Sequence, residues 1–235
     1  MTDRGSAVVI GAAGGIGAAL ADALAADGRH DAIHRLARSA PAPLTVDITD
    51  ADSVAAAAAM VAASGAPPRL VIVATGLLHA DGHRPERSLS DIDPAWMARN
   101  FEVNTIGPAL VARHFLPLLP RHGRTIFAAL SARVGSIGDN RSGGWFSYRA
   151  SKAALNQLVR SFAIAEARRN PDAVVVALHP GTVDTVMSRP FQRAVPPAAL
   201  VTPPDAAANL LRTIDALTPA QSGRIFAWDG SEIIP

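Results

Sequence analysis

The chain has 235 residues, 49% of them hydrophobic and 18% charged, with a formal net charge of +2; this is a globular composition at a length suited to one large domain, and it excludes disorder and coiled coil. It holds no cysteine, so disulfide scaffolds, cysteine nucleophiles and thiolate metal sites are excluded, and a reducing, cytoplasmic setting is expected. Basic residues are scattered rather than blocked, which argues against a nucleic-acid face, and no run reaches the ~20 apolar residues of a membrane span.

In chain order, Ser6–Ile10 predicts a short buried strand and Gly15–Asp27 an Ala-rich helix ended by Gly28. The stretch Ser6–Ala26 also resembles a secretory leader, but Asp22 and the glycines inside it argue against that reading. Ala32–Ala37 and Pro43–Ile48 read as strands, Thr49 as an N-cap, and Ser53–Ala63 as a helix. Leu70–Ala74 is an apolar strand followed by the polar loop Leu77–Ser90. Asp91 or Asp93 caps a long helical region with Pro94 in its first turn, broken near Gly107-Pro108 and ending about Leu119.

Arg124–Leu130 predicts a strand, Ala132–Gly144 a Gly/Ser loop, Trp145–Arg169 a helix and Ala173–His179 a strand. A Pro-containing loop covers Pro180–Pro203, a helix Pro204–Leu217 and a last strand Arg224–Trp228. Strands and helices alternate throughout, which predicts an α/β fold with a doubly wound parallel sheet and helices on both faces. No linker or repeat interrupts it, so residues 1–235 read as a single domain with substrate loops at 77–90 and 187–202. Such sheets bind ligands beyond the carboxyl ends of their strands.

The first such end carries Gly11-Ala12-Ala13-Gly14-Gly15-Ile16-Gly17, at a strand-to-helix junction. Glycines there let a phosphate approach the backbone, and the helix N-terminus offers it unpaired N–H groups and partial positive charge. The alternative is a Gly-rich connection with no ligand. About twenty residues further on, a dinucleotide fold reads the adenosine ribose: an acid favours NAD, an arginine accommodates the phosphate of NADP. This chain has Arg38 and no carboxylate there, which predicts NADP(H), with NAD(H) as the alternative.

Tyr148 is the only tyrosine, and Lys152 is the only lysine among 22 basic residues. On a helix, positions i and i+4 share a face. A nearby ammonium favours phenolate; bringing a phenol from about 10 to about 7 takes roughly 4 kcal/mol of differential stabilisation. A phenol so tuned exchanges a proton with a carbonyl or alcohol oxygen near neutral pH. The bland alternative is a surface tyrosine with an unrelated neighbour.

The spacing Gly11, Gly15, Gly17 together with Tyr148-x-x-x-Lys152 resembles the short-chain dehydrogenases/reductases. The run from Asp139 to Asn156 resembles their C-factor and sniffer-like carbonyl reductases. The resemblance implies an NADP-dependent oxidoreductase acting on a small carbonyl or alcohol, with Tyr148 as general acid/base. Lys152 would hold the nicotinamide ribose, and Asn104 would match the family's helix asparagine. It implies cofactor contacts from Gly11, Ala13, Gly14, Gly15, Ile16, Gly17, Arg38, Asp47 and Ile48. Further contacts are implied from Ala74, Thr75 and Gly76, and from Pro180, Gly181, Val183 and Thr185 in His179-Pro-Gly-Thr-Val-Asp-Thr. A homodimer or homotetramer is implied too, with no nucleic-acid or membrane partner.

Two departures stand out. Counting back from Gly135, the family's catalytic serine falls on Ala132; Ser131 is one residue off and is the best candidate hydroxyl, with Ser136 as another. The family's Asn-Asn-Ala-Gly is Val73-Ala74-Thr75-Gly76 here, with both amides gone. His79 and His83 invite a metal reading, but Asp81 and Gly82 between them oppose a continuous helical face, and no metal is expected. Phe146, Met187 and Phe191 predict apolar substrate contacts. The rival reading is a nucleotide-binding regulatory protein with little turnover. A nucleotide-sugar epimerase is a third, disfavoured because no extra C-terminal substrate region is present.

Overall fold

A computed structural model of the chain describes residues 4–80, 82–196 and 199–235. Asp81 in the first substrate loop, and Pro197 and Ala198 in the second, lie outside the described residues.

The strands are β1 (Ser6–Ile10), β2 (Ala32–Leu36), β3 (Pro68–Val73), β4 (Thr125–Leu130), β5 (Ala173–His179), β6 (Thr182–Val183), β7 (Leu200–Val201), β8 (Ile225–Ala227) and β9 (Glu232–Ile233). The helices are α1 (Gly15–Asp27), α2 (Ala51–Ala62), α3 (Pro94–Phe101), α4 (Gly107–Phe115), α5 (Phe146–Ala167) and α6 (Pro203–Ala216). The main sheet has seven strands in the order β2-β1-β3-β4-β5-β8-β9. Every pairing is parallel except that of β9 against β8.

Alternate strand residues face opposite helical layers, as the two-residue period of a strand requires. Val8, Ile10, Val71, Val73, Phe127 and Val175 pack into one cluster with side chains of α2, α4 and α5. Ala7, Val9, Leu70, Ile72, Ile126 and Val174 pack into another with side chains of α1 and α6. This double burial explains why the strands are nearly continuous apolar runs.

β1 lies between β2 and β3, so successive crossovers leave it in opposite directions. That makes the carboxyl ends of β1 and β3 the switch point where such sheets open a crevice.

Four expectations need correction. Pro43–Ile48 is not a strand: Pro41 and Pro43 lack ladder donors, and the segment makes only an isolated bridge, Ala37 to Thr45. Its alternation survives because Val46 and Ile48 are buried in the core. The α2 cap is Asp50, whose carboxylate accepts from the Asp52 and Ser53 amides, not Thr49. The break in the long helix is a π-helical turn at Glu102–Ile106, just before Gly107. Finally, the Pro180–Pro203 loop contains the small parallel pair β6–β7 and a 3-10 turn at Arg189–Ala194.

Candidate active site

The glycine turn begins where β1 ends. Gly11 has φ +92°, a left-handed backbone that suits glycine, and its amide donates to Leu36 O at 2.8 Å. A Cβ at Gly17 would lie 2.2 Å from Gly11 O, and one at Gly15 would lie 2.9 Å from Thr185 Cγ2. The turn is therefore folded tightly on itself and roofed by the segment after β5. α1 starts from Gly14 with no side-chain cap, which leaves its N-terminus available to an anion.

Other expected contacts surround this turn. Arg38 is exposed, two residues beyond Leu36, the residue whose carbonyl receives the Gly11 amide. Asp47 accepts from the Thr49 amide and hydroxyl at 2.9 and 2.7 Å. Those bonds, with the Arg38 and Arg99 charges nearby, hold its carboxyl below the usual range. Ile48 is buried in the core, where α4 begins against it.

Thr75 sits at the switch point, and its buried hydroxyl has no partner among the described residues. A buried orphan hydroxyl, a glycine cradle and an uncapped helix together fit a bound dinucleotide. After β5, Gly181 has φ +80°, and Val183 is buried.

The second half of the site is built on α5. Tyr148 and Lys152 are 9% and 2% exposed, one turn apart, with Lys152 Nζ 5.8 Å from the centre of the phenol ring. Nζ donates to Leu130 O at the end of β4 at 2.8 Å. A Cβ on Gly76, after β3, would stand 3.7 Å from both Lys152 Nζ and Asn104 Oδ1.

Asn104 lies in the π-helical turn and is fully buried. Its Oδ1 accepts from Leu77 N at 2.7 Å, while Nδ2 donates to Leu77 O at 2.8 Å and to Ser151 Oγ at 3.1 Å. It clamps the start of the first substrate loop onto α5. π-turns of this kind occur often at functional sites.

Electrostatics differ from the sequence expectation. Burial pushes the Tyr148 phenol up to about 12 and the Lys152 ammonium down to about 7. Desolvation disfavours both charged forms, and it outweighs the expected pull of the ammonium on the phenol.

Ser131 is buried, and its hydroxyl donates to Asn156 Oδ1 at 2.7 Å, about two turns along α5 from Tyr148. Backbone alternation turns the half-buried Ala132 the other way. Ser136 Oγ accepts from the Asp139 amide at 3.0 Å. No candidate hydroxyl is thus seen bonded to the Tyr148 side chain.

The two substrate loops meet beside Tyr148. His79 Nε2 pairs with Met187 O at 3.0 Å and its ring lies 5.7 Å from that of Phe191. Trp145 lies 5.3 Å from Phe191 and 6.3 Å from Tyr148, ring to ring. Phe146 is half-buried at the first residue of α5. His83 goes elsewhere, stacking on Trp96 and approaching Asp93 at 3.5 Å. The two histidines therefore face different partners.

Glu86 escaped the sequence analysis. It is 2% exposed, and its carboxylate accepts from the Ser147 amide at 3.2 Å and from the Ser147 hydroxyl. Its own carbonyl accepts from Trp145 N at 2.6 Å. It fastens the substrate loop to the first turn of the helix that carries Tyr148. No local pattern marks a glutamate in a polar loop for burial, because its partner lies 61 residues away.

Known proteins resemble the chain over most of its length. The family model for short chain dehydrogenase matches residues 6–195. C-signal of Myxococcus xanthus is 40% identical over 146 residues, 62% of this chain and 82% of that one. The 1-hydroxy-2-glutathionyl-2-methyl-3-butene dehydrogenase of Rhodococcus sp. (strain AD45) is 36% identical over 187 residues, 79% and 76% of the two chains. The NADPH-bound carbonyl reductase from chicken fatty liver superposes with a TM-score of 0.82 at 25% identity, covering 99% of each chain. Matched from its first strand to its second substrate loop, with the glycine turn and the Tyr148–Lys152 pair inside the match, the chain belongs to the short-chain dehydrogenase family of oxidoreductases.

Proposed function

We propose that the chain is an NADP(H)-dependent carbonyl reductase, exchanging hydride between nicotinamide and a small carbonyl or alcohol while Tyr148 moves the proton at the substrate oxygen. The observation that carries the reading is the Tyr148–Lys152 pair, buried one turn apart against the carboxyl ends of β3 and β4. The likeness to an NADPH-bound carbonyl reductase supports it.

The dinucleotide, when bound, supplies the hydride chemistry. Gly11, Ala13, Gly14, Gly15, Ile16 and Gly17 would hold its diphosphate at the start of α1. Arg38 would take the ribose phosphate, with Asp47 and Ile48 beside the adenine. Ala74, Thr75 and Gly76 would line the middle, and Pro180, Gly181, Val183 and Thr185 the carboxamide end. Lys152 would hold the nicotinamide ribose. Asn104 keeps the loop at Leu77 closed on the helix that carries Tyr148.

A phenol pushed up to about 12 keeps its proton at neutral pH. Tyr148 is then ready to donate to the oxygen of a carbonyl as that oxygen gains charge. With Lys152 pushed down to about 7, its ammonium and amine forms are both accessible at working pH.

Loss of reduced-nicotinamide absorbance with a panel of aldehydes, ketones and quinones tests the reading, with NADPH and NADH run side by side. Turnover with NADPH preferred is expected. Tyr148→Phe should lower kcat by about 100-fold or more while NADPH still binds; near-normal turnover in that variant overturns the mechanism.

One observation favours a regulatory protein of low turnover. Ala132 stands where the family places a hydroxyl, and the neighbouring Ser131 hydroxyl is bonded to Asn156. Dinucleotide binding without turnover, with activity gained in Ala132→Ser, would support that second reading.

A further inference from the structure

Trp145, whose ring lies 5.3 Å from that of Phe191, also lines a cleft of about 400 Å³. Arg87, Ser142, Gly143, Gly144 and Arg149 border it, with Glu86 at its floor. Three successive residues here, Gly143, Gly144 and Trp145, have φ of 61°, 62° and 51°. For tryptophan that backbone is strained, and strain of this sort persists where a site requires it. Trp145 both lines the cleft and lies 6.3 Å, ring to ring, from Tyr148.

The charges in the cleft are unbalanced. Arg149 Nε donates to the carbonyls of Gly143 and Gly144, and Nη1 to that of Val134, at 3.1–3.2 Å. No acidic side chain pairs with Arg149 among the described residues, and its remaining guanidinium N–H groups are left free. Arg87 likewise forms no ion pair with a described side chain, although Asp91 lies within its field. The one carboxylate at the floor, Glu86, is already bonded to Ser147. Burial lowers the Arg149 pKa.

We propose that this cleft is a carboxylate subsite, and that the substrate is a carbonyl compound whose carboxylate tail, several methylenes from the carbonyl, passes Trp145 to reach Arg149 and Arg87. The second half of this inference rests on the reductase reading. A planar guanidinium with free N–H groups matches a carboxylate. A single negative charge is tolerated beside Glu86, whereas a phosphate dianion would meet more repulsion. The aromatic and thioether side chains of Trp145, Phe191 and Met187 suit the apolar body between the two ends.

The test compares the keto acid 7-oxooctanoate with its methyl ester. Binding to the full-length protein is measured by calorimetry, and NADPH oxidation separately. The acid should bind about tenfold tighter than the ester, with the difference shrinking in added salt. The preference should disappear in Arg149→Gln. Because Arg149 also holds the loop carbonyls, Arg87→Gln, whose side chain makes no hydrogen bond or ion pair with a described residue, should weaken the preference independently. Equal binding of acid and ester, absence of binding by both, or a preference unchanged in both variants overturns the subsite. A retained binding preference without NADPH oxidation would leave the subsite standing and overturn the reductase reading instead.

Discussion

Lys152 is buried with its ammonium pushed down to about 7 from an ordinary 10.5. An unfolded lysine keeps its proton up to that ordinary value, so between about pH 7 and 10 the unfolded chain binds more protons than the folded one. Stability contributed through this group therefore rises with pH across that window, by at most about 1.4 kcal/mol per pH unit. Below pH 7 both states are protonated and the folded protein bears the full desolvation of a buried charge. Lys152→Met should flatten the rise between pH 7 and 10, measured by denaturant melts across the range. An unchanged slope would show that another group carries it. Tyr148 has the opposite sign: its raised pKa means stability falls as pH climbs from about 10 toward 12. The pair also marks a limit of reasoning from spacing. Two residues four apart on a helix share a face, but how much water reaches that face is settled by β3, β4 and the loop at Gly76. Here burial reverses the expected shift of the phenol.

At the scale of elements, α5 depends on a contact that no neighbour in sequence provides. Its first turn would present the Ser147 amide and hydroxyl as buried donors, and Glu86 satisfies both. Glu86→Ala should therefore lower stability by about 1–3 kcal/mol, read as a fall in Tm of several degrees. It should also lower kcat more than it alters nicotinamide binding, since Tyr148 follows Ser147 directly. Glu86→Gln, which keeps an acceptor for the amide, should recover part of both; equal damage from the two substitutions would assign the effect to the charge. The same contrast explains what was legible. β1, α1 and β5 match their expected bounds because burial on both faces writes them as apolar runs closed by glycine or a turn. Residues 43–48 misled because Leu44, Val46 and Ile48 alternate into the core without ladder bonds, so burial periodicity was present where a strand was not. β9 escaped because two residues carry no period at all. The glycine turn and the Tyr148–Lys152 pair stood out because each is a set of particular residue types at fixed spacing, and the structure brings both to the carboxyl edge of the sheet. Glu86, the Asn104 clamp on Leu77 and the bond between Ser131 and Asn156 join segments 25 to 61 residues apart, and a linear pattern does not record such distances.

For the whole molecule, the sheet is the common wall of two cores. Phe115 anchors the cluster on the α4 and α5 side, and Leu210 the cluster on the α1 and α6 side; both are fully buried. β1, β3, β4, β5 and β8 each contribute alternate residues to both clusters, so neither helical layer can be lost without exposing the other face of the same strands to a weakened sheet. The site is built across the same wall: the glycine turn and Thr185 lie at the start of α1, whereas Tyr148, Lys152 and Asn104 come from α5 and the helices beside it. That coupling argues for a single cooperative unit, and calorimetry tests it. Phe115→Ala should cost about 3–5 kcal/mol and Leu210→Ala about 2–5 kcal/mol, and both should lower the same single transition. If each instead shifted a separate transition, the two faces would be independent folding units, and a site assembled from both would open whenever the weaker one did. One shared transition, with dinucleotide binding raising its midpoint in the parent and in both variants, is the outcome expected of a crevice whose two walls stand on one sheet.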